Sequence, residues 1–538
     1  MRLALAAALA LAVAPAPRAQ TDFFAIRKNF GLFGDLYEAL ASEYVDAIDA
    51  ERLMRTGITA MTGALDPYTV FLDEGTAANA RFRQQGGVGG VGAIVEVRDG
   101  RPVVTAVVEA TSAEAQGLRP GDAPVSVAGR PAALLSAEAI SRLLLGDPGT
   151  TVELVVEREG EPEPVRFDLV RAEPTDAVVS FSGPLGDGVG YVKLDKFFGD
   201  ASAEITGALA ALQAGGELRG LVLDLRGNPG GLLGEAVEIA ELFLPAGTLV
   251  TATRGRSEGT SRAYRTANPP TAPALPIAVL VDGASASASE IVAGALQDHD
   301  RGVVIGETTF GKGLVQVVRP MPYGTALKLT VSRYTTPAGR EIQRLSYRQG
   351  ERAAAVPDSL RQTFQTANGR PVRSGGGIEP DLALDRGAES ELERALVRTA
   401  AFLRFANRYA AEHPDLPDGF RADAALLRDF QRFVEAEGLT YRTEAERRAD
   451  ALAESLAEAG YEGADGALAD LRRAVEREKG RDFERHAARL QDRLRAEILG
   501  RYVGARGVTE AALADDEAVR QAKALLLDGR RYTRLLGD

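Results

Sequence analysis

Between about Thr175 and Asp385 the chain carries short β-branched runs, and this series limits its fold more than any other feature. The runs are Gly190–Leu194, Gly220–Leu225, Ile277–Val281, Val303–Ile305 and Lys328–Ser332. Helical stretches at Ala201–Ala214, Gly234–Leu244 and Ser289–Gln297 fall between several of them. Strands alternating with helices are joined by crossovers, which set neighbouring strands parallel and predict an α/β core.

The flanking sequence differs in character. From Asp22 to about Arg83 apolar residues recur at helical spacing (Phe30, Phe33, Leu36, Tyr37, Leu40, Tyr44, then Leu53, Ile58, Met61, Leu65), which predicts a small helical segment over 20–83. At Gln84 the glycine-rich Gly86–Gly92 leads into strands at Ala93–Val97 and Pro102–Val108. A strand near Val125–Val127, a helix over Ala137–Leu145 and strands at Thr150–Arg158 and Val165–Val170 complete a β-rich module over 84–172. The α/β core takes 173–386. Beyond it, Ala, Leu, Glu and Arg at helical periodicity predict an all-α extension over 387–538. At the other end, Arg2, an apolar run to Val13 and small residues before Gln20 match a secretory signal over 1–19, cleaved after Ala19. That run is too short to span a bilayer. A periplasmic or envelope location, soluble after cleavage, is the expectation.

Composition excludes several classes. A net charge of -13 offers no basic stripe for phosphates, so nucleic acid is not an expected partner. With no cysteines, disulfides, zinc-thiolate sites and a thiol nucleophile are ruled out. Three scattered histidines are too few for a histidine metal site and leave little for a Ser-His-Asp triad. No metal and no cofactor are expected.

Three stretches could carry chemistry. Ala284-Ser285-Ala286-Ser287-Ala288-Ser289-Glu290 follows the apolar strand Ile277–Val281 directly. A strand, a small-residue turn and a helix can hold a hydroxyl where free N–H groups favour developing negative charge. A plain serine N-cap gives the same pattern. Lys312 lies between two glycines in Phe310-Gly311-Lys312-Gly313-Leu314. A lysine in an apolar pocket loses its proton more readily and can serve as a base, although a turn lysine reads alike. Gln316, four residues on, would share its face and could orient the amine. Leu225-Arg226-Gly227-Asn228-Pro229-Gly230-Gly231 is a glycine-rich loop after a strand, able to bind an oxyanion or to form a phosphate nest. It lacks the Gly-Lys-Ser/Thr ending of a P-loop.

The ordered set resembles the carboxyl-terminal processing, or tail-specific, proteases from about Asp22 to Asp385. Leu65-Asp66-Pro67, Gly87–Gly92, Gly121-Asp122, Leu225–Gly231, Ser285–Glu290, Phe310–Gln316 and Tyr334–Gln343 carry the resemblance. It implies a multidomain α/β protein: an N-terminal helical segment, a PDZ domain, a Ser-Lys protease core with a mixed sheet, and here an all-α C-terminal extension. It also implies Ser287 as nucleophile, Lys312 as general base, Gln316 as its positioning partner and Glu290 as an orienting acid. Ala288 and a glycine of the Gly230-Gly231 pair would supply the oxyanion hole, with Ser285 and Ser289 as competing nucleophiles. Gly89, Gly90, Val91 and Gly92 look like the loop in which a PDZ domain nests a terminal carboxylate, while the peptide adds to the adjacent strand edge. The expected partners are therefore protein substrates with exposed, apolar C-termini.

Three departures stand out. Ala123-Pro124 replaces the family's large aliphatic residue after Asp122, which puts the local strand start in question. The polar stretch Arg348–Arg373 reads as an exposed elaboration. The long extension could pack on the core, self-associate or bind an adaptor. His299 is the rival base, in a charged turn. A PDZ scaffold with an inactive protease core, and an acyl-CoA-handling fold with a glycine oxyanion loop, are the alternative functions.

Overall fold

The computed structural model describes residues 23–74, 89–98, 100–108, 111–172, 178–347, 354–384, 389–417 and 419–537. The leader reading at 1–19 lies outside them. The chain divides into two units, residues 1–71 and 72–538.

The first unit holds α1 (Phe23–Glu43) and α2 (Ala50–Gly63). Asp49 caps α2 by accepting the Arg52 N–H, and the Tyr37 hydroxyl donates to the Ala50 carbonyl at 2.8 Å. In Leu65-Asp66-Pro67 the Asp66 carboxylate accepts the N–H groups of Tyr68 and Thr69, both at 2.8 Å, an Asx turn that stops the helical run. No residue of α1 is buried.

The second unit begins with the β-rich module. A hairpin of β1 (Ala93–Arg98) and β2 (Arg101–Val107) stands beside a sheet ordered Arg130-Pro131, β3 (Ala123–Val127), β4 (Thr151–Glu157), β5 (Val165–Val170). The helix α3 (Ala137–Leu144), capped by Ser136, closes over a core of Val104, Val127, Ile140, Leu154 and Leu169. Strand β4 buries Val152, Leu154 and Val156 while its alternate residues face outward, the period of a one-sided sheet. Asp122 is fully buried because Arg158 grips both its oxygens, at 2.8 and 2.7 Å. The strand after it starts at Ala123, so the Ala123-Pro124 departure leaves β3 in place.

Next comes the six-stranded mixed sheet. Its order is β6 (Val179–Gly186), β7 (Val189–Leu194), β8 (Gly220–Asp224), β11 (Ile277–Val281), β12 (Val303–Gly306), β15 (Leu382–Ala383); β6 is antiparallel to β7 and the rest run parallel. Side chains alternate between its faces. Leu221, Leu223, Ile277, Val279 and Val281 pack beneath α4 (Ala201–Ala214), α5 (Leu233–Glu241) and α6 (Ala288–Asp298). Val222, Ala278, Leu280, Val303 and Ile305 face the opposite way. A second, antiparallel sheet includes β13 (Leu314–Pro320), β14 (Ala326–Thr335), β9 (Leu249–Gly255) and β10 (Arg262–Arg265), paired in that order.

The extension has a core of its own, built on α7 (Ala401–Glu412), α8 (Ala424–Ala436) and α9 (Ala487–Leu499), where the Phe402 and Phe430 rings stack at 4.9 Å. Its last helices, α10 (Glu517–Leu527) and α11 (Gly529–Leu535), bury Val519, Ala522, Leu525, Leu526 and Tyr532 against the second face of the mixed sheet. Of the roles open to this segment, packing on the α/β core is the one observed. It also reaches the β-rich module, where Arg501 donates to the Pro120 carbonyl at 3.0 Å.

The expectation that 348–373 is simply an exposed elaboration needs correcting in its second half. Thr366 and Val372 are buried, and Arg370 pairs with both Asp300 and Asp381. Those acids lie beside the C-terminal end of α6 and beside β15, and they need a countercharge when withdrawn from water.

Candidate active site

Strand β11 ends at Val281, and the chain turns through Asp282–Ser287 into α6. One oxygen of Asp282 ties this turn together: it accepts the N–H groups of Ala284, Ser285 and Gly227, each at 3.0 Å. Burial separates the three serines. Ser285 is fully buried, its hydroxyl donating to the Leu225 carbonyl at 2.8 Å, and Ser289 is fully buried on the Asn228 carbonyl at 2.9 Å. Ser287 is partly exposed. It has φ 55° and ψ −109°, a conformation costly for a residue with a Cβ and typical of strained functional positions.

Lys312 is half-buried in the loop between β12 and β13. Gly311 before it has φ 81°, and a Cβ there would lie 2.5 Å from that of Arg344, so the turn that delivers the lysine requires glycine. Burial holds the Lys312 ammonium below the ordinary lysine value, and the nearby Lys328 pushes it in the same direction against the opposing pull of Glu290.

Glu290 joins the two loops. Its Oε2 accepts the Ser287 N–H at 2.8 Å and the Lys312 N–H at 2.9 Å, so those two backbone nitrogens lie within about 6 Å of each other. Its Oε1 accepts the Thr309 hydroxyl at 2.6 Å and the Gly311 N–H at 2.7 Å. Burial raises the pKa of this carboxyl, and the four donors offset part of that rise. Tyr334, also buried, donates to the Ser287 carbonyl at 3.2 Å.

The glycine loop closes the third side. Asn228 holds it by donating to the Leu194 carbonyl and accepting the Gly230 N–H at 2.9 Å. Gly230 has φ 96°, and a Cβ there would sit 2.8 Å from the Ala288 nitrogen and 2.9 Å from the Ser287 Cβ. Only glycine lets the loop approach the turn so closely. With the Gly230 N–H committed to Asn228, the candidate oxyanion donors narrow to Gly231 and Ala288. The latter stands at the first position of α6, where a helix has no acceptor of its own for the N–H.

Two other expected residues lie on β13 and at the end of α6. Gln316 is on β13, and its amide donates to the Thr330 hydroxyl at 3.4 Å across the hairpin. His299 caps the far end of α6, about 18 Å from Ser287 at 1.5 Å per residue, with Nε2 on the Leu249 carbonyl. That position removes it as a base. In the β-rich module Gly89-Gly90 pairs with Leu145-Gly146, the Gly90 N–H donates to Ala172, and Val91 is buried. Strand β1 pairs only with β2 among the described residues, so its second edge stands open beside α3.

Sequence reasoning missed Asp282, Asn228, Tyr334 and Lys328. An acid opening a small-residue turn is a signal for the first. Asn228 and Tyr334 lie inside motifs already singled out. Nothing local marks Lys328, which reaches Lys312 only through the pairing of β13 with β14.

Comparison with known proteins fits this arrangement. Residues 188–347 match the model of peptidase family S41, residues 103–158 that of the PDZ domain, and residues 392–526 that of the C-terminal helical domain of probable PDZ-proteases. The fold and site thus define a serine-type peptidase that carries a PDZ domain. A carboxy-terminal-processing protease of Bartonella bacilliformis is 34% identical over 319 residues, covering 59% of this chain and 73% of its own length. The carboxy-terminal processing protease CtpB of Bacillus subtilis is 31% identical over 363 residues, covering 66% and 75%. A solved photosystem II D1 C-terminal processing protease aligns over 67% of this chain and 94% of its own at 29% identity, with a TM-score of 0.38. The chain belongs to the carboxy-terminal processing protease family. No helix among the described residues is long and apolar enough to cross a membrane.

Proposed function

We propose that this peptidase is an endopeptidase that reads the C-terminal tails of protein substrates through its PDZ domain and cleaves by a Ser287–Lys312 dyad. The observation that carries the dyad is the shared carboxylate oxygen of Glu290, which fixes the backbones of both residues in one corner while Ser285 and Ser289 are buried. Neutral Lys312 takes the proton as the Ser287 hydroxyl attacks the scissile carbonyl. The N–H groups of Ala288 and Gly231 hold the oxyanion, the amine leaves with a proton from Lys312, and water resolves the acyl-enzyme with Lys312 as base again. Gln316 belongs to this reading as a positioning residue for the lysine. The domain limits are 20–83, 84–172, 173–386 and 387–538, and the leader at 1–19 directs export to the periplasm or envelope.

The open edge of β1 beside α3 supports tail binding, because an extended peptide can add there as a strand with its carboxylate at Gly89–Gly92. The test is a panel of unfolded substrates differing only in their last three residues, with products identified by mass spectrometry. Apolar termini are expected to raise kcat/KM, with Ser287→Ala silent throughout. Equal cleavage of every member contradicts tail reading.

The depressed pKa of Lys312 also fixes a sign. Activity needs the neutral amine, so kcat/KM rises as pH passes upward through the Lys312 pKa. Lys328→Met removes a neighbouring cation, which lets Lys312 keep its proton to higher pH. The acid limb of the pH profile is expected to move upward, and an unmoved limb contradicts the assignment of Lys312 as base.

A further inference from the structure

The C-terminal extension has no part in the chemistry above, yet one of its side chains reaches the base of the oxyanion loop. Arg226, the second residue beyond β8, lies between two acids. Its Nε contacts both oxygens of Asp224 at 3.0 Å, its Nη2 the Asp224 Oδ2 at 2.5 Å, and its Nη1 the Oδ2 of Asp516 at 2.8 Å. The Tyr191 hydroxyl also donates to Asp224 at 2.7 Å. The Arg226 side chain is 13% exposed, that of Asp224 1% and that of Asp516 16%, so these charges are largely withdrawn from solvent screening. The main chain is pinned at the same place: Lys193 donates to the Arg226 carbonyl at 3.1 Å, and the Gly227 N–H donates to Asp282 in the serine turn.

We infer that Asp516 is a positioning residue for the protease site, acting through Arg226 on the loop that carries Gly231. The inference rests on the reading of Ser287 and the glycine loop given above. Asp224 alone satisfies two nitrogens of the guanidinium; Asp516 takes the third and fixes the plane of the fork. The loop from Gly227 to Gly231 starts from that anchored residue. Oxyanion donors act only within a narrow range of distances, and a shift of about 1 Å can cost up to 10²-fold in rate. The extension thereby sets the geometry of the chemistry as well as covering the sheet.

Asp516→Asn isolates this contact. Oδ1 of Asp516 caps α10 by accepting the N–H groups of Ala518 and Val519, and asparagine caps a helix as well as aspartate does. Its amide then presents a donor to Arg226 where a carboxylate oxygen stood. The experiment uses the full chain and an activated ester, with rates normalised to active sites titrated by the acylation burst. Expected for Asp516→Asn is a fall in kcat of about tenfold with KM within about twofold, on protein that circular dichroism shows to be folded at the assay temperature. The unfolding midpoint is expected to be lowered by loss of the mostly buried ion pair. Asp516→Glu, which keeps the charge, is expected to recover kcat to within about threefold of the parent. An unchanged kcat in Asp516→Asn, or an Asp516→Glu as slow as Asp516→Asn, overturns the proposal. Activity in a Ser287→Ala control would overturn the serine reading instead, so the two failures are distinguishable.

Discussion

Lys312→Ala is expected to lower kcat by roughly 10²–10⁴-fold, the range for loss of a positioned general base, and Ser287→Ala by roughly 10⁶-fold, as for other serine nucleophiles. Both variants should fold. Neither side chain is fully buried, so each truncation removes little packing. Lys312→Arg should be as inactive as Lys312→Ala, since a guanidinium stays protonated and cannot accept the serine proton. Single-turnover cleavage of an unfolded substrate, with circular dichroism on the same samples, checks this. Substantial activity in Lys312→Ala would remove the dyad from the mechanism.

Glu290→Ala is expected to damage stability and activity together. The carboxylate accepts three backbone N–H groups and one hydroxyl in a fully buried place. Without it these donors lose their acceptor, the Gly311 N–H and the Thr309 hydroxyl in a buried place, and an unsatisfied buried donor costs about 1–3 kcal/mol. Some of them will relax toward other acceptors, so a net loss of about 3–5 kcal/mol is expected. The Ser287 and Lys312 backbones then lose their shared anchor, and the residual folded protein should acylate slowly. Glu290→Gln should fall between the two, because its oxygen keeps one pair of donors while its amide faces the other. Urea midpoints and active-site titration measure both effects. A Glu290→Ala variant as stable as the parent would contradict the role given to this carboxylate.

Much of this fold is legible in the sequence, because its buried strands are short, apolar and bounded by turn residues. Ala201–Ala214 has the same limits as a helix in the structure, and the runs at 277–281 and 303–305 are interior strands of the mixed sheet. Strand β6 is hidden by Gly183 and Pro184, which read as breakers but sit on the sheet's edge, where Pro costs little. Strands β9 and β10 carry Thr and Arg in place of an apolar run. The second layer under the sheet was not legible either. An amphipathic stripe at 517–535 states that a face is buried, not what it is buried against.

The site divides in the same way. Spacing and residue type bring Ser287, Lys312, Glu290 and the glycine loop into view, and the family resemblance points to Ser287 among the three serines; the physical ground for that choice, the burial of Ser285 and Ser289, comes only from the fold. The Gly230 N–H illustrates the limit. A glycine pair announces free amides, and one of them is spent on Asn228 within the loop itself. Lys328 and Asp516 reach the site through a strand pairing and a distant helix, separations that no local pattern encodes.

The proposed mechanism stands on acylation of Ser287. Incubation with a slowly deacylating ester, acid quench and peptide mapping by mass spectrometry tests it directly. One acyl group per chain is expected on Ser287, none in Ser287→Ala, and slow formation in Lys312→Ala. Acylation of Ser285 or Ser289, or undiminished acylation of Ser287→Ala, would contradict it.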